Sequence, residues 1–98
     1  MVKVTFKKEP KETGLMSISF PNQSVNLKIK GKTFGMINAP TWQTEDNRWS
    51  ISIMVTGLNN EWKWVNFKQR FLKEQYAREW IQEYIDAIMK KYTLRFED

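Results

Sequence analysis

The chain contains no cysteine and no histidine among its 98 residues. These residue types most often bind transition metals, attack substrates covalently or exchange protons near neutral pH. Without cysteine a disulfide framework is excluded, and we expect a protein of the reducing cytoplasm. A glycine-rich phosphate loop, a nucleophile elbow and a dinucleotide fingerprint are also missing. We therefore expect a non-enzymatic protein that uses no metal and no cofactor.

Long apolar runs are missing as well. No stretch approaches the roughly 18 consecutive apolar residues of a membrane-spanning helix. The first residues also lack the pattern of a secretory signal. We therefore expect no membrane partner. Hydrophobic residues nevertheless make up 41% of the chain, with five tryptophans. That composition is sufficient to build one core, and residues 1–98 are predicted to form a single domain.

The spacing of apolar residues changes once along the chain. Through most of the first 68 residues it has a period of two, which is typical of half-buried strands. From about residue 73 apolar residues recur every three or four positions, which predicts an amphipathic helix. The predicted fold class is α+β, an antiparallel sheet of about five to six strands packed by one C-terminal helix. The predicted strands are 2–7, 15–20, 25–30, 33–38, 48–56 and 61–68, and the predicted helix is 73–92.

The last predicted strand departs from strict alternation. Trp62 and Trp64 share one parity, whereas Val65 and Phe67 share the other. Such a slip indicates a β-bulge or a strand that is buried on both faces. Two interpretations of the tryptophans stay open at this point. They complete the core under the helix, or they form a binding surface in which aromatic residues flank Lys63.

Positive charge is concentrated at the N-terminal end of the chain. Residues 1–35 carry seven lysines and two glutamates, a net charge of +5, whereas residues 36–70 carry +1 and residues 71–98 carry −1. The basic excess thus belongs to the predicted sheet and not to the helix. A basic face favours an anionic partner, although an ordinary solvated surface is the alternative.

One face of the predicted sheet collects cations, hydroxyls and amides but no acid. By parity it holds Lys3, Thr5, Lys7, Ser17, Ser19, Asn26, Lys28, Lys30, Arg48, Ser50 and Ser52. These groups are suited to phosphate oxygens, which accept hydrogen bonds and carry negative charge. We predict that this face binds nucleic acid, mainly through its backbone. The predicted binding residues, with a loop tryptophan added, are Lys28, Lys30, Lys32, Arg48, Ser50, Ser52, Lys63 and Trp42.

A family resemblance covers residues 48–90. They contain a tryptophan-bearing strand, a hairpin turn, a return strand and a helix opened by Phe71-Leu72-Lys73-Glu74-Gln75-Tyr76-Ala77. This order resembles the small strand–strand–strand–helix DNA-binding domains of tyrosine integrases. The resemblance implies a sheet in the major groove, with Arg48, Ser50, Ser52 and Lys63 facing DNA. The face has one arginine and many lysines, which implies contact with the DNA backbone and little base readout.

A protein partner is the alternative to nucleic acid. The chain as a whole resembles the compact proteins that phages and prophages encode, which often act as inhibitors of host defence. Such an inhibitor would bring the same basic face to an acidic surface of a host protein. The sequence favours DNA but does not separate DNA, RNA and protein as partners, and a homodimer also stays open.

Overall fold

The structure is a computed structural model, and it describes residues 2–8, 24–40 and 47–97. These residues form five strands followed by one helix. The strands are β1 (Thr5–Lys8), β2 (Val25–Ile29), β3 (Lys32–Asn38), β4 (Ser50–Thr56) and β5 (Trp62–Asn66), and the helix is α1 (Glu74–Lys91). The strands form one antiparallel sheet in the order β1-β2-β3-β4-β5. The predicted α+β class, an antiparallel sheet packed by one C-terminal helix, is confirmed.

The predicted element boundaries differ from the observed ones at several ends. The predicted strand 15–20 and Trp42 lie outside the described residues. β1 begins at Thr5 and not at residue 2, because the backbone before it bonds to the helix. The Gln82 amide nitrogen donates to the carbonyl of Val2 at 2.8 Å, and the Gln82 amide oxygen accepts from the N–H of Val4 at 2.9 Å. Gln82 thus holds the start of the chain against α1.

The core lies between one face of the sheet and α1. β2 alternates between buried and half-buried residues, which is the pattern of a strand with one covered face. The strands and the segment before β1 contribute the buried residues Val4, Val25, Leu27, Ile29, Phe34, Ile37, Ile51, Ile53 and Val55. The helix contributes Ala77, Ile81, Ile85 and Ile88.

The buried stripe of α1 is narrower than the apolar periodicity predicts. Tyr84 and Met89 belong to the apolar spacing, yet 44% and 40% of their surfaces remain exposed. Trp80 packs against the core and contacts Phe67 and Phe71 with its ring. Within the described ranges, no helix combines the length and the apolar character that crossing a membrane requires.

A register shift between Leu27 and Lys28 forms a bulge against β3. Leu27 pairs with Gly35, but Lys28 pairs with Thr33, so Phe34 has no partner on β2. Phe34 and Gly35 therefore both lie on the helix side, where Phe34 is fully buried. Gly35 is required there, because a Cβ would overlap the carbonyl oxygen of Ser52. The bulge lies between β2 and β3 and not in the last strand, where a bulge is one of the two interpretations of the parity slip.

The C-terminal tail, residues 93–97, continues the sheet between β3 and β4. These two strands pair only from Gly35 to Asn38 and diverge beyond that point. The tail fills the gap, since Arg95 donates its N–H to the carbonyl of Met54 at 2.9 Å. At its end, Glu97 and Thr33 exchange backbone hydrogen bonds of 2.7 and 2.8 Å.

Candidate nucleic-acid interface

The strand face opposite α1 is here called the open face. Strand pairing places its residues in rows, because side chains directly across a sheet point the same way. One row runs through Lys7, Asn26, Met36, Ser52 and Asn66. The open face consists of Thr5, Lys7, Asn26, Lys28, Thr33, Met36, Asn38, Ser50, Ser52, Met54, Thr56, Trp62, Trp64 and Asn66.

Two tryptophans of β5 are exposed on the open face. Trp62 pairs with Thr56 and Trp64 pairs with Met54, both facing away from α1. About half of each indole is exposed, 47% for Trp62 and 43% for Trp64. The parity slip of this strand therefore reflects apolar residues on two faces, one covered by the helix and one exposed. Its pairing with β4 is regular, so the interpretation as a bulge is wrong. The interpretation as a strand buried on both faces is also wrong, because Trp62 and Trp64 are exposed.

A cation from the tail lies beside this aromatic pair. The Arg95 guanidinium lies over the Trp62 ring, 5.5 Å from the ring centroid. Its Nε is 3.4 Å from a carboxylate oxygen of Glu97. Arginine retains its charge at all relevant pH values and stacks on aromatic rings. The tail thus fixes a planar cation at the edge of the tryptophan pair.

Polar side chains form a hydrogen-bonded ladder across the middle of the open face. The Asn38 amide nitrogen donates to the Ser50 hydroxyl at 3.3 Å and to the Ser52 hydroxyl at 2.9 Å. The Ser52 hydroxyl donates in turn to the Asn66 amide oxygen at 2.5 Å. Ser52 is almost fully buried, with 6% of its surface exposed, so these bonds satisfy it. The chain of bonds also orients the exposed Asn66, leaving its amide nitrogen directed away from Ser52.

Lysines border the open face at the β1 side of the sheet. Lys28 is half-buried and Lys7 is exposed, and both lie opposite α1. None of the five described strands contains an aspartate or a glutamate. The open face therefore has cations at one edge, an aromatic pair beside Arg95 at the other, and amides and hydroxyls between them.

The predicted binding residues divide into separate groups. Lys28, Ser50 and Ser52 lie together on the open face. Lys30 and Lys32 do not join them, because they flank the tight β2–β3 turn and line a cavity beside Met89 of α1. Parity places Lys30 on the same face as Lys28. The structure differs, because Lys30 has a positive φ of 53° and belongs to the turn, where the alternation of β2 has ended.

Lys63 lies apart from this group, and Arg48 lies just before β4. Lys63 pairs with Val55, a core residue, so it lies on the helix side of β5 and does not share the face of Ser52. The integrase resemblance implies that Ser52 and Lys63 lie on one surface. That implication is wrong, because they lie on opposite faces of the sheet. Arg48 is exposed and directly precedes Trp49, which exchanges backbone hydrogen bonds with Phe71.

Sequence reasoning missed Asn38 and Asn66 as members of this site. Asn38 and Asn66 lie on different strands from Ser52. The register between the strands is therefore needed to show that all three side chains lie close together on one face. Arg95 was also missed, since the period-two signal that identifies strands is absent from the short tail. Among the described residues no cluster of potential metal ligands occurs.

Comparison of the chain with protein-family models, with curated proteins and with solved structures finds no match. A function for this chain therefore has to be inferred from the residues of the site.

Proposed function

We propose that the open face binds single-stranded nucleic acid, with unpaired bases stacking on Trp62 and Trp64. The observation that carries this proposal is the exposed aromatic pair on a sheet face whose strands contain no acid. Proteins that bind single strands combine aromatic platforms with cations that follow the phosphate backbone. Both components are present on the open face.

Each part of the face has a role in this proposal. Lys7 and Lys28 attract phosphates, and the Arg95 guanidinium, whose charge Glu97 partly neutralises, adds a planar group beside Trp62 where bases would stack. The exposed Asn66 amide donates to a base edge or a phosphate oxygen. Such contacts depend on charge and stacking more than on base identity, so we expect little sequence preference. This agrees with the backbone-directed binding that the lysine-rich composition predicts.

A single strand fits the open face better than a duplex does. In a duplex the bases are already stacked on one another, so an indole on a strand face meets only their edges. An unpaired base offers its whole ring, and stacking on an aromatic side chain contributes about 1–3 kcal/mol. We therefore expect the exposed indoles of Trp62 and Trp64 to stack mainly on unpaired bases. DNA remains favoured over RNA only by the sequence resemblance.

The test is a binding titration with labelled oligonucleotides of about 12 nucleotides. Oligo(dT), oligo(rU) and a duplex of equal length are compared by fluorescence anisotropy at about 50 and 200 mM salt. The proposal expects binding of a single strand that is tighter than duplex binding and weakens steeply with salt. Absence of binding to both single strands at the lower salt concentration would refute it.

A specific observation favours protein binding as the second candidate. β5 lies at the end of the sheet, and β4 is its one strand partner among the described residues. An extended segment of another protein could therefore add to the sheet beside Trp62 and Trp64. This candidate predicts that a complex captured from lysate survives nuclease treatment and contains a defined protein. A complex that dissolves on nuclease treatment supports nucleic acid instead.

A further inference from the structure

A cavity of about 800 Å³ opens at the end of the sheet, away from the tryptophan pair. The segment before β1, the β2–β3 turn, α1 and the tail each contribute to its wall. The described residues that line it are Val2, Lys3, Thr5, Ile29, Lys30, Lys32, Met89 and Phe96. Its volume falls within the range of about 300–1,000 Å³ that is common for small-molecule sites.

The wall of this cavity is mainly apolar. Phe96 contacts the buried Phe34 ring edge to face, with 6.1 Å between centroids, which fixes the aromatic side of the wall. Met89, on the exposed border of α1, also lines the cavity, and its flexible thioether adapts to different shapes. An alkyl chain in contact with these two residues would lose part of its exposure to water.

The mouth of the cavity is positively charged. Lys3 and Lys30 are exposed at its rim, and neither forms an ion pair with another described residue. Among the described residues that line the cavity, none carries a carboxylate. A ligand that occupies this cavity should therefore have an apolar body and one anionic end.

We propose that this cavity binds a monomeric single-chain amphipathic anion, such as a medium-chain fatty acid. The alkyl chain would lie between Met89 and Phe96, and the carboxylate would lie between Lys3 and Lys30. The cavity borders the open face at Thr5, which pairs with Lys28, whereas Met89 of α1 belongs to the helix side of the sheet. Neither Trp62 nor Trp64 lines it, so it implies a second ligand that does not compete for the tryptophan pair.

The test uses protein with ¹³C-labelled methionine methyl groups, titrated with dodecanoate below its micelle concentration. Met89 lines the cavity, whereas Met36 and Met54 lie on the open face and serve as internal references. The Met89 signal is expected to shift along a one-site saturation curve while the two references stay unchanged. A shift of the references without Met89, or no shift at all, would overturn the proposal.

Charge dependence is tested with a double variant, Lys3→Glu with Lys30→Glu. Dodecanoate should bind it at least about tenfold more weakly, because two attractions become repulsions. Dodecanol, which has the same chain without charge, should be unaffected. The matched control is Lys63→Glu with Lys68→Glu, which changes the net charge equally at residues outside the cavity. Equal loss in both double variants would show that the anion senses only the net charge, which contradicts the proposal.

Occupancy of the cavity is tested separately with Met89→Trp. This residue is 40% exposed, so a larger side chain can be accommodated without rebuilding the core. Binding of dodecanoate, followed by calorimetry, should be lost. Retained affinity would place the ligand elsewhere. If the protein binds anionic lipid vesicles but not monomeric dodecanoate, the lysines bind a membrane surface and the proposal that the cavity holds a ligand is wrong.

Discussion

Trp62 and Trp64 lie edge to face on β5, with 6.2 Å between their ring centroids and an angle of 75° between their planes. Aromatic pairs prefer this geometry because the positive edge of one ring meets the negative face of the other. The contact holds both rings in place while leaving about half of each exposed. A ligand therefore meets an ordered aromatic surface and has little side-chain entropy to remove on binding.

Replacing either tryptophan of this pair should weaken single-strand binding. Trp62→Ala and Trp64→Ala each remove one stacking surface, which corresponds to about 1–3 kcal/mol, or roughly 5- to 150-fold in Kd. Anisotropy titration with oligo(dT) measures the change. The control is Leu58→Ala in the adjacent hairpin turn, because Leu58 is fully exposed and lies outside the open face. Equal affinities for all three variants and the parent would exclude the aromatic pair as the site.

Charge reversal should have different effects on the two faces of the sheet. Lys28→Glu removes a cation from the open face, whereas Lys63→Glu makes the same change in net charge on the helix side. For a single strand, each phosphate contact contributes about 0.7 to the slope of log affinity against log salt. Lys28→Glu should lower that slope by about 0.7, and Lys63→Glu should leave it unchanged. Identical slopes for the two variants would indicate attraction to net charge without a defined face.

Adding a methyl group at Gly35 should destabilise the fold. The new Cβ of Gly35→Ala would overlap the carbonyl oxygen of Ser52 and lie 3.0 Å from the Cα of Ile53, so β3 and β4 would have to separate. We expect a loss of about 3 kcal/mol in the free energy of unfolding. Gly57→Ala is the matched control, since its Cβ would meet the carbonyl oxygen of Glu61 at an ordinary 3.5 Å. Urea denaturation compares the two variants, and equal midpoints would contradict the bulge geometry.

The Gln82 amide should contribute measurably to stability. Gln82→Leu leaves the carbonyl of Val2 and the N–H of Val4 without their partners, at a cost of about 1–3 kcal/mol. Gln75→Leu, on the exposed side of the same helix, removes only a bond to Glu79 and should cost much less. Hydrogen exchange provides a local measurement, because the amide of Val4 should lose protection in the first variant alone. Unchanged protection there would show that packing alone holds this segment.

Local sequence pattern was sufficient for the fold class. Apolar residues alternate in residues 25–29 and 50–56 and recur every three or four positions in 74–91. This spacing shows which side of each element is buried, and it can be read from neighbouring residues in the sequence. The tight turn at Lys30 and Gly31 follows from the same local chemistry, since both residues adopt positive φ. The membership of Lys28, Ser50 and Ser52 in one face also follows from strand parity.

Only the tertiary structure decided how the cations and aromatics are distributed. Alternation along a strand places each residue on one of the two sides of that strand. Which residues of neighbouring strands lie next to one another on the same face depends on the register between the strands. The bulge at Phe34 and the pairing of Lys63 with Val55 are both consequences of register. They separate the predicted basic face into an open face and a lysine-rimmed cavity. Trp62 and Trp64 remained ambiguous in sequence because exposure depends on where α1 packs, which no local pattern specifies.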